Sequence, residues 1–275
     1  MSMAEDITPH TSSTRRIRTV SWNRPAPPSG LRAVPEETAV ALTYNGSTHA
    51  VMMATPCDLE DYAYGFSLTE GQIQAPSQIR SIDVIVLNEG IDVRIWLDAD
   101  TAAQLRDRRR RIAGPTGCGL CGIESLSEAV PRPARVQGDA RVTAADIMAA
   151  QRAMVAGQTL HAETSAVHAA ALWTPSGGLL AIREDVGRHN ALDKLVGALS
   201  RAGPRAHGGM LLLTSRVSVE MVQKAAVLGS PVLVAVSAPT ALAVRTAEAA
   251  GITIVAMARD DGFEVFSHPH RIVPE

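Results

Sequence analysis

The sequence predicts an α/β protein, α+β overall, in which a small N-terminal domain rich in β-hairpins precedes a larger three-layer α/β domain. Two observations carry that prediction. From about residue 168 to 257, apolar runs of strand length alternate with short helical runs, the pattern of a mainly buried sheet covered by helices. Before residue 100, two pairs of β-rich runs flank the turn signals Asn45-Gly46 and Asn88-Glu-Gly90, as hairpins do. With 275 residues, 46% hydrophobic and 20% charged, the chain can bury a large core in one or two domains.

Residues 1–16 are polar, carry Pro9, Ser12 and Ser13, and lack the apolar centre of a secretory signal; a disordered start is expected. Residues 17–22 have β character, and Pro25, Pro27, Pro28 and Gly30 form a linker. Strands 38–44 and 48–53 make the first hairpin. Thr55-Pro-Cys-Asp-Leu-Glu60 then opens a helix, with Asp58 and Glu60 placed where acids suit the dipole and Gly71 as its stop. Strands 82–87 and 91–97 make the second hairpin. A helix over 99–111 ends in Arg108-Arg-Arg-Arg111, and a cysteine loop follows over 114–126, with a helix start expected at 124–130. This completes an N-terminal domain of residues 17–135, closed by Pro131, Pro133 and Gly138.

The second domain spans 140–275. Thr143 is the N-cap of a helix that runs to Gly157. Strands 168–173 and 179–183 pair across Thr174-Pro-Ser-Gly-Gly178. Then come helix 190–200, strand 210–214, helix 219–228, strand 232–236, helix 239–250, strand 252–257 and a short strand at 264–266. An uncharged run over 225–244 is broken by Gly229, Pro231 and Pro239, so it reads as a buried strand between helices rather than a membrane span. A net charge of −2 and 3% aromatic residues give no nucleic-acid signature. Three cysteines do not make a secreted disulfide scaffold, which points to a reduced, cytoplasmic setting.

Two of those cysteines, Cys118 and Cys121, lie in Gly114-Pro-Thr-Gly-Cys-Gly-Leu-Cys-Gly-Ile-Glu-Ser-Leu126, with four glycines between 114 and 122. Glycine costs backbone entropy and leaves the sulfurs open to approach. The spacing permits three chemistries. A zinc site needs four ligands, and only Cys57, His161, His168 or His189 could complete it. Thioredoxin-like redox chemistry wants the first cysteine at a helix N-terminus, which Gly119 and Gly122 oppose. A persulfide carrier needs an accessible thiolate on a mobile arm, and Arg108 to Arg111 would raise its thiolate fraction. A turn with inert thiols is the bland alternative. Cys57, after Pro56 at a helix start, reads as structural, and His168 as a core histidine.

Four junctions at strand ends are dense in polar groups. They are Glu184-Asp-Val-Gly-Arg-His-Asn190, Thr214-Ser-Arg216, Ser237-Ala-Pro-Thr240 and Met257-Ala-Arg-Asp-Asp-Gly262. Open α/β sheets place ligands at such ends. Asp185, Arg188, His189 and Asn190 are expected to face a large, phosphorylated ligand, although no P-loop or GxGxxG fingerprint is present.

These segments together resemble the FdhD family of sulfur carriers needed for formate dehydrogenase activity. The resemblance rests on Thr55-Pro-Cys-Asp-Leu-Glu-Asp61 with Gly65-Phe66 and Glu70-Gly71, on Gly117-Cys-Gly-Leu-Cys-Gly122, and on Val167-His-Ala-Ala170. It continues through Glu184-Asp-Val-Gly-Arg-His-Asn-Ala-Leu-Asp-Lys194, Thr214-Ser-Arg216 with Glu220-Met221, Ser237-Ala-Pro-Thr240 and Ser267-His-Pro-His-Arg271. It implies a protein that takes sulfur from a cysteine desulfurase as a persulfide. The sulfur then passes to the molybdenum of Mo-bis(molybdopterin guanine dinucleotide), a bound substrate, before that cofactor enters formate dehydrogenase. By the same resemblance Cys121 bears the persulfide, Cys118 is auxiliary, and Met257, Ala258, Arg259, Asp260, Asp261 and Gly262 bind the cofactor. No resident metal is implied. A second domain resembling the cytidine-deaminase fold and a homodimer are implied as well. The chain departs from the family pattern at Thr164-Ser-Ala166, where many members have Thr-Gly-Gly. It departs again at Asp260 and Asp261, which add negative charge beside phosphates. Two rivals stand beside this reading: a cofactor chaperone without sulfur transfer, and a zinc deaminase-like hydrolase built on His161-Ala-Glu163.

Overall fold

The computed structural model describes residues 11–23, 25, 30–112, 133–138, 140–203 and 209–274. Its N-terminal half opens with β1 (Thr14–Arg18) paired antiparallel to β2 (Leu31–Pro35). A strand therefore starts at Thr14, inside the stretch expected to be disordered, and it ends at Arg18 rather than 22. The pairing supplies the reason, because β2, unforeseen after the proline-rich linker, holds β1 in place.

Next come β3 (Thr38–Tyr44), β4 (Ser47–Ala54), α1 (Leu59–Thr69), β5 (Ile79–Leu87), β6 (Gly90–Leu97) and α2 (Ala99–Ile112). The strands form one sheet in the order β4-β3-β6-β5, with β3 parallel to β6. The first hairpin turns at Asn45 (φ 47°) and Gly46 (φ 81°), the left-handed pair that a two-residue hairpin loop requires. Alternate residues Val40, Leu42, Val93 and Ile95 face inward onto Tyr62, Ala63 and Phe66 of α1 and Ala102 and Leu105 of α2.

The C-terminal half holds β7 (Val142–Thr143), α3 (Ala144–Gly157), α4 (Thr159–Thr164), β8 (His168–Thr174), β9 (Gly178–Asp185) and α5 (Arg188–Ala202). After these come β10 (Met210–Leu213), α6 (Val219–Leu228), β11 (Val232–Ala235), α7 (Ala241–Ala250), β12 (Thr253–Arg259), β13 (Gly262–Val265) and β14 (Ile272–Val273). Thr143 caps α3 as its sequence position requires: its hydroxyl accepts from the Asp146 amide, and the Asp146 carboxylate accepts from the Thr143 amide.

Six strands form a mixed sheet in the order β13-β12-β11-β10-β8-β9, parallel across β10, β11 and β12. Successive residues of the central strands serve opposite faces. Leu211, Leu213, Leu233 and Ile254 pack under α5, α6 and α7. Met210, Leu212, Val234 and Val255 pack under α3. Both faces are covered, so β10 and β11 read as unbroken apolar runs. The α/β class and the layering expected for the second domain are present.

The halves meet along α1 and α5. A Cβ added at Gly65 would fall inside the carbonyl of Asp193, and one at Gly197 inside that of Asp61. The two backbones touch at this crossing, which only glycine permits.

Candidate functional site

The thiol segment, with Cys118 and Cys121, lies outside the described residues; α2 carries the chain to Ile112, just ahead of it. The strand-end junctions are described, and three of the four are largely closed by the protein itself.

At the first junction, Asp185 and Lys194 are fully buried and form an ion pair at 2.6 Å. The Thr55 amide donates to Asp185 Oδ2 at 3.0 Å, and Lys194 Nζ donates to the Thr55 carbonyl at 2.9 Å. Asn190 donates to Asp185 Oδ1 and to the Met53 carbonyl, and accepts from the Tyr62 hydroxyl. Asp185 and Asn190, expected from the sequence to face a ligand, instead clamp the β4–α1 corner onto the β9–α5 corner. A buried carboxylate needs partners, and the first half supplies them. Glu184 is also spent, its carboxylate accepting from the Leu160 and His161 amides at the start of α4. At the same crossing, Lys224 bridges Asp193 and Glu70, and Asp61 binds both Arg183 and Arg201.

Cys57 borders this joint, with Lys194 Nζ 3.9 Å from its sulfur. Burial pushes its thiol up, and the lysine charge only partly offsets this. Its place at a helix entry fits the structural role read from the sequence. His168 and His189 are half-buried at the strand ends. Burial lowers both, and the neighbouring Arg188 charge lowers them further. Arg188 Nε is a buried donor without a partner among the described residues. At the second and third junctions the loops pair with each other: the Val217 amide donates to the Ala238 carbonyl and the Thr240 amide to the Val217 carbonyl. The Thr240 hydroxyl caps α7, and the Thr214 hydroxyl accepts from the Ala169 amide.

The fourth junction is different. β12 pairs regularly with β13 up to Ala256, shifts register, and resumes at Arg259. Met257 absorbs the extra residue in the left-handed region, at φ 55°. Such a bulge re-aims the side chains beyond it. Val255 and Ala258, three apart, therefore share the α3 face. Asp260 and Asp261 form the exposed turn, and Gly262 closes it at φ 135°. Ala258 is buried, and its carbonyl accepts from Gln151 Nε2 at 2.7 Å. The other amide atom, Gln151 Oε1, is a buried acceptor without a partner among the described residues. A cavity of about 480 Å³ opens here, lined by Gln151, Arg152, Val155, Ala156, Arg259 and Asp260. Asp261 is not part of its lining. Sequence reasoning singled out 257–262 but missed the α3 residues that line the cavity beside it; their amphipathic helix gave no sign of which face the bulge would meet.

His161 bonds the Val167 carbonyl through Nδ1. Among the described residues, no three His, Cys, Asp or Glu side chains gather as metal ligands, and no helix is long and apolar enough to cross a membrane.

Comparison with known proteins agrees with this layout. The chain is 54% identical to a sulfur carrier protein FdhD of Agrobacterium fabrum over 265 residues, 95% of this chain and 97% of the relative. It is 52% identical to one of Brucella abortus over 88% of this chain and 90% of the relative. A crystal structure from Desulfotalea psychrophila, assigned as a formate dehydrogenase accessory protein, superposes with a TM-score of 0.71 at 25% identity. It covers 95% of this chain and all of that one. The FdhD/NarQ family model matches residues 35–273, so the chain belongs to the FdhD/NarQ family.

Proposed function

We propose that the chain is a sulfur carrier that acts on the molybdenum cofactor of formate dehydrogenase. The observation that carries this is the paired-thiol segment Gly117-Cys-Gly-Leu-Cys-Gly122, in a chain more than half identical, almost end to end, to a protein named as a sulfur carrier. The Cys121 thiolate attacks the outer sulfur of a cysteine desulfurase persulfide. A new S–S bond forms at Cys121, the old one breaks, and the desulfurase thiolate leaves. The Cys121 S–S bond then breaks: the outer sulfur would go to a reduced molybdenum of the bis-guanine-dinucleotide cofactor, whose two electrons take it from the sulfane to the sulfide level, and Cys121 leaves as the thiolate. Cys118 assists, and the protein works as a cytoplasmic homodimer.

In this reading the 257–262 turn and the cavity beside it anchor the dinucleotide arm; the cavity is lined by Arg152 and Arg259, and Gln151 carries a buried unmet acceptor. Holding cargo and thiol together is worth several kcal/mol, up to about 7–11 in favourable cases. The test is intact-protein mass after incubation with a cysteine desulfurase and cysteine. A gain of one sulfur, removed by dithiothreitol, is expected in wild type and in Cys118→Ala and absent in Cys121→Ala. No gain in wild type, with cofactor still bound, would turn the reading to a chaperone that holds the cofactor without carrying sulfur.

A further inference from the structure

The cavity beside the β12–β13 turn joins an unusual set of groups. Gln151 is 7% exposed; Nε2 is pinned to the Ala258 carbonyl, so the amide cannot swap its ends freely, and Oε1 is left as an unmet acceptor. Native proteins rarely keep a buried acceptor unmet without a reason, and a ligand donor is one. Asp260 adds a carboxylate at the rim. Val155 and Ala156 give an apolar wall, and Arg152 and Arg259 give planar cations that stack on rings or bind phosphate. Met257 stays in the left-handed region, at a cost that structure elsewhere must cover; the bulge it makes brings Ala258 onto α3 and so orients Gln151.

An acidic residue is a poor neighbour for a pyrophosphate but a good one for adjacent N–H donors. Guanine presents such donors side by side, at N1–H and at the 2-amino group. Adenine presents an acceptor at N1, and cytosine an acceptor at N3. Resting on the cofactor reading above, we propose that Asp260 is a specificity-determining residue. Its carboxylate accepts from N1–H and the 2-amino group of a guanine ring seated on Val155 and Ala156, while Gln151 Oε1 accepts a further N–H. Arg152 and Arg259 take the phosphates. The acid is then set against the base, and its charge is kept off the pyrophosphate.

The test is calorimetric binding of GDP, IDP, ADP, CDP and XDP to the full chain, wild type and Asp260→Asn. IDP lacks the 2-amino group. XDP replaces it with a carbonyl, which the Asn amide N–H can meet while the Asn oxygen still accepts from N1–H. Wild type is expected to favour GDP over IDP by about tenfold and over ADP and CDP by more, since hydrogen bonds to charged groups carry that much discrimination. Asp260→Asn is expected to lose about tenfold or more for GDP and to gain preference for XDP. Asp260→Ala serves as a second variant and should flatten the preference without favouring XDP. Wild type that prefers GDP, with both variants unchanged, overturns the role of Asp260 and leaves the cofactor reading intact. Wild type that binds none of the five overturns both.

Discussion

Two polar strand ends of this molecule look alike in sequence and differ in what surrounds them. At the β9–α5 corner, Asp185, Asn190 and Lys194 are buried and matched donor to acceptor. At the β12–β13 turn, Gln151 keeps an unmet acceptor beside a cavity, and Met257 is held in a left-handed conformation. A polar cluster whose partners are all internal is a joint. One that leaves an acceptor unmet beside a cavity is a place for something else. Arg188 Nε is also unmet among the described residues at the first corner, so what sets the β12–β13 turn apart is the cavity beside its unmet acceptor.

The contrast breaks most sharply at Lys194. Lys194→Ala leaves the Asp185 carboxylate buried and unpaired, and should cost about 3–5 kcal/mol, read as a large fall in chemical-denaturation midpoint. Asp260→Asn, at the open turn, should stay within about 0.5 kcal/mol of wild type in the same assay. Comparable losses at both positions would end the distinction. Next in size is Gly197→Ala, whose methyl group would force α1 and α5 apart; a loss of roughly 1–3 kcal/mol is expected, and Ser200→Ala on the same helix serves as control. Smaller again is Asp61→Asn, at about 1 kcal/mol, because Arg183 and Arg201 remain partly in water.

The smallest effect is a slope with pH. Burial lowers His168 and His189 below their ordinary value of 6.5. The unfolded chain therefore takes up protons first as pH falls through that value, and stability declines on the acid side until the folded imidazoles also charge. Glu220, held low chiefly by the nearby Ser218 hydroxyl, adds a separate loss only below its ordinary 4.5. Denaturation midpoints at pH steps from about 7 to 5 should fall less steeply in His168→Asn/His189→Gln than in wild type; equal slopes would remove the two histidines from the account.

Much of the fold is legible in the sequence because its signals are local. Asn45-Gly46 names its own turn, and Thr143 with Asp146 names a helix start. The pieces that escape a sequence reading depend on distant partners. β2 is a strand because β1 pairs with it. The six-residue α4 is held at its N-terminus by Glu184, more than twenty positions away. The joint reads as a ligand pocket in sequence for the same reason, since Asp185 shows no partner until Thr55 is folded against it. The turn at 257–262 is visible through its resemblance, but the left-handed Met257 that shapes it is invisible in an apolar strand.

The joint also sets a timetable for synthesis. Lys194 meets Thr55 across 139 positions, and Arg201 meets Asp61 across 140. At about 5–20 residues per second, the first half waits on the order of ten to thirty seconds for α5 to leave the ribosome. Through that interval the Gly65 face of α1, the Thr55 amide and the Asp61 carboxylate have only water for company. Closing so long a loop is slow by topology, and the nascent first half is the form of this protein most exposed to aggregation and proteolysis.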